Sequence, residues 1–215
     1  MNMYKDRSDA GAQLSLILKE YKNKEGVFVL ALPRGGVVTG YEIACYLNAP
    51  LDVVIVRKMG FPGQPELGIG AVSETGTVVL NQFIISTYGV PSDYIVREVS
   101  RQKEEISHRV KRYRKGKELP SLKGKIVILV DDGVATGATM KAAITTLKEE
   151  KLTKLIVALP VAPPDIADEL EQMVDEFVCI ETPIDFTAVG AYYHDFTQVS
   201  DEEVVELLQK TMTEE

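Results

Sequence analysis

The sequence is poor in the residues that staple small chains together. Its 215 residues include two cysteines, Cys45 and Cys179, set far apart in apolar surroundings. A disulfide framework and a cysteine metal cluster are excluded, and free buried thiols in a reducing cytosol fit better. Long apolar runs are missing too. None approaches the ~18 residues needed to span a bilayer, and the opening MNMYKDRSDAG lacks the apolar core of a signal peptide. A cytoplasmic protein without membrane contact is expected. Positive charge is in deficit: 24 Lys and Arg face 32 Asp and Glu, for a formal charge of −8. That balance argues against broad adhesion to nucleic acid or membrane. There is no internal repeat and no low-complexity tract.

What remains is ordinary globular composition, 45% hydrophobic and 26% charged. A chain this long buries roughly 70% of its unfolded surface without cross-links. One domain over residues 1–215 is the simplest division. Four short runs rich in Val, Ile and Leu (Val27–Leu32, Leu51–Val56, Lys125–Val130 and Lys154–Val161) read as strands buried on both faces of a parallel sheet, with a weaker fifth at Phe177–Ile180. Helical patterns separate them. Ser8 or Asp9 would cap a first helix with the stripe Leu14, Ile17, Leu18 and Tyr21. Val37–Leu47, Ala138–Glu150 and Pro164–Met173 follow, the last opening on a proline pair suited to a first turn. This alternation predicts an α/β fold, a doubly wound parallel sheet flanked by helices.

Three segments interrupt it. Residues 59–80 are rich in Gly and Pro and read as a mobile loop running into a hairpin. Residues 92–117 read as an inserted charged helix, and 183–199 as an aromatic irregular stretch before a last amphipathic helix at 201–213.

The strongest chemical signal is IVILVDDGVATGAT, residues 126–139. Strand residues lead into Asp131 and Asp132, then into seven small residues, then into a helix. Such a turn leaves backbone N–H groups free at a helix N-terminus. With the hydroxyls of Thr136 and Thr139 they suit a phosphate. Gly137 allows close backbone approach. Two carboxylates beside that cradle would repel a phosphate directly. They make better sense facing sugar hydroxyls or a divalent cation. The pattern therefore asks for a sugar phosphate. Walker A spacing is absent, and Gly68-Ile69-Gly70 leads into Ala71-Val72-Ser73 without the strand and helix of a dinucleotide fold.

This motif resembles the phosphoribosyl pyrophosphate (PRPP) signature of type I phosphoribosyltransferases: four hydrophobics at Val127–Val130, two acids, then Thr136-Gly137-Ala138-Thr139. The segment RKMGFPGQPELGIGAVSE, residues 57–74, resembles a less-studied branch of that family. The resemblance implies a flexible lid at 59–80, with Gly60–Ala71 as a loop that closes over substrate, and a base-binding hood at 183–199. It also implies transfer of the 5-phosphoribosyl group between PRPP and a nitrogenous base, with pyrophosphate released and a purine weakly preferred. Gly133, Ala135, Thr136, Gly137, Ala138 and Thr139 would hold the 5′-phosphate. Pro33, Arg34, Gly35 and Gly36 would hold the pyrophosphate, with a strained or cis peptide expected between Arg34 and Gly35. Asp131, Asp132, Arg57 and Lys58 would serve catalysis. Mg²⁺ would be met by Asp131 and Asp132 through ribose hydroxyls or water. Tyr192, Tyr193 and Phe196 would stack on the base, and a homodimer is implied.

Other features carry less. His108 reads as a solvated helix residue and His194 as a surface one. Glu74 reads as part of a hairpin turn, although the loop could carry it towards the site. Between Arg97 and Lys117, nine Lys and Arg stand against three Glu. A solvated face is the default reading. The alternative is a PRPP- or nucleotide-sensing regulator that binds RNA through this helix.

Overall fold

The computed structural model describes residues 3–212, except for the side chains of Pro65, Glu66 and Met212. The chain runs α1 (Arg7–Ile17), β1 (Val27–Ala31), α2 (Gly35–Leu47), β2 (Leu51–Val53), β3 (Val56–Phe61), β4 (Gln64–Ser73), β5 (Val78–Leu80), α3 (Gln82–Tyr88), α4 (Ser92–Arg114), β6 (Ile126–Val130), α5 (Ala138–Leu147), β7 (Lys154–Val161), α6 (Pro164–Glu171), β8 (Glu176–Glu181) and α7 (Asp201–Met212).

Five strands make one parallel sheet in the order β2-β1-β6-β7-β8. Because successive side chains of a strand point to opposite faces, each strand feeds two cores. Val27, Val29, Ala31, Ile128, Val130, Ile156 and Ala158 join Ile43, Ala44 and Leu47 of α2 and Val204 and Leu208 of α7 on one face. Phe28, Leu30, Val127, Leu129, Leu155 and Val157 meet Ala143, Ile144 and Leu147 of α5 and Leu170 of α6 on the other. Each fully buried Leu, Ile or Val is worth about 1.5–3 kcal/mol. The predicted runs Val27–Leu32, Lys125–Val130 and Lys154–Val161 are strands of this sheet, and helices follow in the predicted places.

The chain departs from expectation where glycine and charge dominate. Residues 59–80 form no long loop. β3, β4 and β5 pair as a three-stranded antiparallel sheet whose glycines sit at register shifts around Gly60. Met59 and Ile69 are wholly buried, so the base of this hairpin belongs to the core. The second parallel strand stops at Val53, and the chain leaves for the small sheet at Val56. Asp6 caps α1: its Oδ1 accepts the Asp9 N–H at 2.9 Å. Leu14, Leu18 and Tyr21 are buried but Ile17 faces solvent, since the chain tightens to a 3₁₀ turn at Leu18–Tyr21. α3 was not legible, although Asn81 caps it by accepting the Ile84 N–H. Cys45 is exposed, against the expectation of two buried thiols. Of the helix expected at 201–213, Asp201–Met212 is helical and residue 213 lies outside the described residues. Among the described residues, no helix is long and apolar enough to cross a membrane.

Glu74 does not reach towards the phosphate turn. Its Oε1 accepts the Ile55 N–H at 2.8 Å, and its carboxylate pairs with Arg114 at the end of α4, whose Nε lies 3.7 Å from Asp52 Oδ1. Both side chains of the Arg114–Glu74 pair are less than a tenth exposed. Breaking a buried pair strands a charge, so Glu74→Gln should cost about 3–5 kcal/mol. Urea unfolding would measure that loss, while turnover per folded molecule stays unchanged.

Candidate functional site

The strand order sets the place of the site. From β1 the chain crosses to β2 on one side, and from β6 to β7 on the other. The crevice outside the carboxyl ends of β1 and β6 is therefore the point where the winding reverses, the usual ligand position in such sheets. Ala31 and Val130 are in register, and the Leu32 N–H donates to the Val130 carbonyl at 2.9 Å. This pairing carries the two predicted loops, 32–36 and 131–139, out side by side.

They touch closely. A Cβ on Gly35 would fall 2.6 Å from the Asp132 Cγ and 2.8 Å from the Arg7 Nε. One on Gly36 would fall 2.9 Å from the Asp131 Cα. The glycine pair is needed for this approach. A cis peptide is present in the loop, but it joins Pro33 to Arg34 instead of Arg34 to Gly35.

Residues 133–139 form the expected turn. Gly137 has φ +68° and opens α5, whose first bond runs from the Lys141 N–H to the Gly137 carbonyl at 2.8 Å. Ala135, Thr136 and Thr139 are exposed or half-buried around it, and the Thr136 Oγ1 accepts the Ala138 N–H at 3.4 Å. The helix N-terminus and these hydroxyls can meet a phosphate. Gly137→Val would put a β-branched residue at positive φ with its Cβ 2.8 Å from Ile166 Cγ2. Affinity for ribose 5-phosphate should fall at least about tenfold if the turn loses its shape; calorimetry checks it.

Asp131 and Asp132 differ in company. The Asp131 Oδ1 accepts the Asp132 N–H at 2.9 Å. Burial, and next the charge of Asp132, hold the Asp131 carboxyl well above the usual carboxylate range. Burial raises Asp132 as well, opposed by Arg7, whose Nε donates to its Oδ2 at 2.6 Å. The two acids titrate as a pair. Arg7 also donates to the Thr197 carbonyl at 2.8 Å and lies over the Phe196 ring at 3.8 Å.

The hood aromatics are placed differently from the expectation of three rings offered to a base. Tyr192 and Tyr193 are 1% and 5% exposed, in a cluster with Tyr4, Ala10 and Val161. Tyr193 packs against Tyr4 and Phe196 and donates its hydroxyl to the Asp132 carbonyl at 2.6 Å. Only Phe196 is partly open, and Arg7 covers it. Residues 183–199 thus brace the acid pair from behind. His194 is exposed, as expected.

Arg57 and Lys58 lie on β3. They line a cavity of about 310 Å³ with Pro33, Thr139 and Arg109. A second cleft of about 470 Å³ joins Arg34 to His108, Arg109, Arg112 and Asp201, so the charged helix is no mere solvated face. Arg112 pairs with Asp201 at 2.9 Å and Glu202 at 3.3 Å, and Arg114 is buried. These intramolecular pairs weaken the RNA-binding alternative. Arg7 and Arg109 were not expected at the site.

Among the described residues, no group of three or more His, Cys, Asp or Glu forms a metal cage. Two adjacent carboxylates at a strand end do fit a cation that keeps its waters and shares the oxygens of a diphosphate.

Comparison with known proteins agrees with this geometry. The phosphoribosyl transferase domain family matches residues 2–197. Two Mycobacterium tuberculosis proteins, each named "Putative phosphoribosyl transferase", are 43% identical over 212 residues. The match covers 98% of this chain and 47% of each of theirs, so the chain spans about half the length of these curated relatives. The crystal structure of the protein TT1426 from Thermus thermophilus superposes with a TM-score of 0.88 at 43% identity, covering 97% of this chain and 98% of that one. The central sheet, the paired loops and these relatives place the chain in the phosphoribosyl transferase family.

Proposed function

We propose that this protein transfers the 5-phosphoribosyl group of PRPP to a nitrogenous base and releases pyrophosphate. A purine is the favoured acceptor by family analogy. The observation that carries the reading is the contact of the Leu32–Gly36 loop with Asp131 and Asp132, beside the Gly137 turn. Phosphate turn, acid pair and glycine loop stand in the order in which PRPP presents its 5′-phosphate, ribose and diphosphate.

In this reading the 133–139 turn holds the 5′-phosphate and backbone N–H groups near Arg34–Gly36 hold the diphosphate. The acids accept from the ribose hydroxyls. Arg7 and Tyr193 fix Asp132, so that the pair does not reorganise as charge develops. The bond from ribose C1 to the diphosphate oxygen breaks with its electron pair leaving on the diphosphate. A base nitrogen forms the new bond to C1 through an oxocarbenium-like transition state. Positioning carries most of the rate. Mg²⁺, when bound, neutralises diphosphate charge, and Asp131 and Asp132 are the residues that would face it. The β3–β4 hairpin is the segment available to exclude water.

Phosphorus NMR tests the reading. PRPP and Mg²⁺ are incubated with a panel of purines and pyrimidines. A base-dependent pyrophosphate signal is expected. PRPP that is bound but never consumed with any base would replace transfer by sensing.

A further inference from the structure

Helix α4 interrupts the β-α alternation, and the reaction above leaves it without a task. The 310 Å³ cavity gives it one. The cavity is walled by Pro33, Val54, Arg57, Lys58, Thr139 and Arg109, and among the described residues no carboxylate lines it. Its cations come from two separate elements, Arg57 and Lys58 from β3 and Arg109 from α4.

Arg57 is held in place by a buried chain. Its Nε donates to the Gln102 Oε1 at 3.0 Å, and the Gln102 Nε2 donates to the Glu98 Oε1 at 2.7 Å. Gln102 is 2% exposed and Glu98 6%. Glu98 is further committed to Arg101, at 2.9 and 2.7 Å. Glu105 offsets the Arg57 charge in part, yet burial first and Arg109 next still push Arg57 below the usual arginine range. No ion pair among the described residues engages Arg109. A cavity that brings two guanidinium groups together, with no acid among the described residues of its wall, is relieved by an anion, and the planar fork of Arg suits phosphate oxygens. Pro33 places the cavity on the loop assigned to the diphosphate, and Arg109 also lines the cleft that holds Arg34.

Resting on the transfer reading above, we propose that α4 completes the diphosphate site: Arg109, on the cavity wall it shares with Arg57, binds the diphosphate from the helix side. Helix α4 is then a fixed wall of the site that supplies charge.

The test uses inorganic pyrophosphate with Mg²⁺ and, separately, ribose 5-phosphate as calorimetric probes of the whole chain. Arg109→Ala should weaken pyrophosphate binding by about tenfold to 100-fold, the worth of a charge-assisted contact, and leave ribose 5-phosphate within about twofold. Arg109→Lys should recover part of the loss, because it keeps the charge without the fork. In turnover, KM for PRPP should rise while KM for the base holds. Melting should not move, as no ion pair is lost. Unchanged pyrophosphate affinity in Arg109→Ala, or an equal loss for both probes, overturns the assignment and leaves the transfer reading standing. A wild-type protein that binds neither probe removes both.

Discussion

Asp131→Asn is expected to lose activity and gain stability at once. Turnover should fall by about 100- to 1,000-fold, the scale set by removing one preorganised electrostatic contact in an active site. The neutral amide still accepts the Asp132 N–H through its oxygen, so local structure survives. It no longer has to be charged in a buried place beside a second acid. The folded-state affinity of Asp131 for protons exceeds the unfolded one, because burial and then Asp132 oppose its ionisation. Between those two values the folded state binds more protons than the unfolded state, so this group's contribution to stability falls as pH rises through the window. Above it, the wild type carries the whole cost and the variant carries none. Thermal melting at neutral pH should therefore show Asp131→Asn at or above wild type, and wild-type activity should decline as pH falls through the raised carboxyl range. A variant that keeps near-normal turnover would remove the proposed ribose role. One that melts well below wild type would mean that the charge is structural.

Gly35→Ala should damage both fold and function. The added methyl would collide with the Asp132 carboxylate and with Arg7, whose Nε would lie 2.8 Å away. Relief requires either the loop or the Arg7–Asp132 pair to move. Overpacking of this kind costs about 1–3 kcal/mol, and the displaced carboxylate removes the arrangement on which transfer depends. A double-mutant cycle isolates the cause. In an Asp132→Ala background the clashing carboxylate is gone, so Gly35→Ala should cost much less stability there, with activity lost in every variant but the wild type. Full additivity of the two stability losses, measured by urea unfolding, would show that the loop and the acid pair do not bear on each other.

What was legible in the sequence is what lies close together in it. Residues 126–139 carry strand, acids and turn in one stretch, so composition alone places them at a sheet edge. The neighbouring loop was legible for the same reason, since Leu32–Gly36 ends one apolar run and opens the next helix. Arg7 was not, because it meets Asp132 across 125 positions of chain. Arg109 was hidden by its surroundings: seven basic residues on α4 look alike until packing separates them. Arg114 is buried, Arg112 is paired outside, and Arg109 faces the cavity. Residues 59–80 misled through glycine. Gly60, Gly68 and Gly70 suggest a loop, yet a Cβ on Gly70 would clash with the Met59 Cε at 2.6 Å, so that glycine is required by tight packing of the hairpin. Tyr192 and Tyr193 misled in the opposite sense. Aromatics near a site read as stacking platforms, but their rings stabilise most when buried; here Tyr192 stacks on Phe186 and Tyr193 holds Asp132 from behind.

The most direct measurement is a crystal structure with PRPP and Mg²⁺ bound. The 5′-phosphate is expected in the turn of residues 135–139, the ribose hydroxyls on Asp131 and Asp132, and the diphosphate between the Pro33–Gly36 loop and the cations of β3 and α4. A ligand seated elsewhere, or reversed so that its diphosphate occupies the Gly137 turn, would contradict this placement.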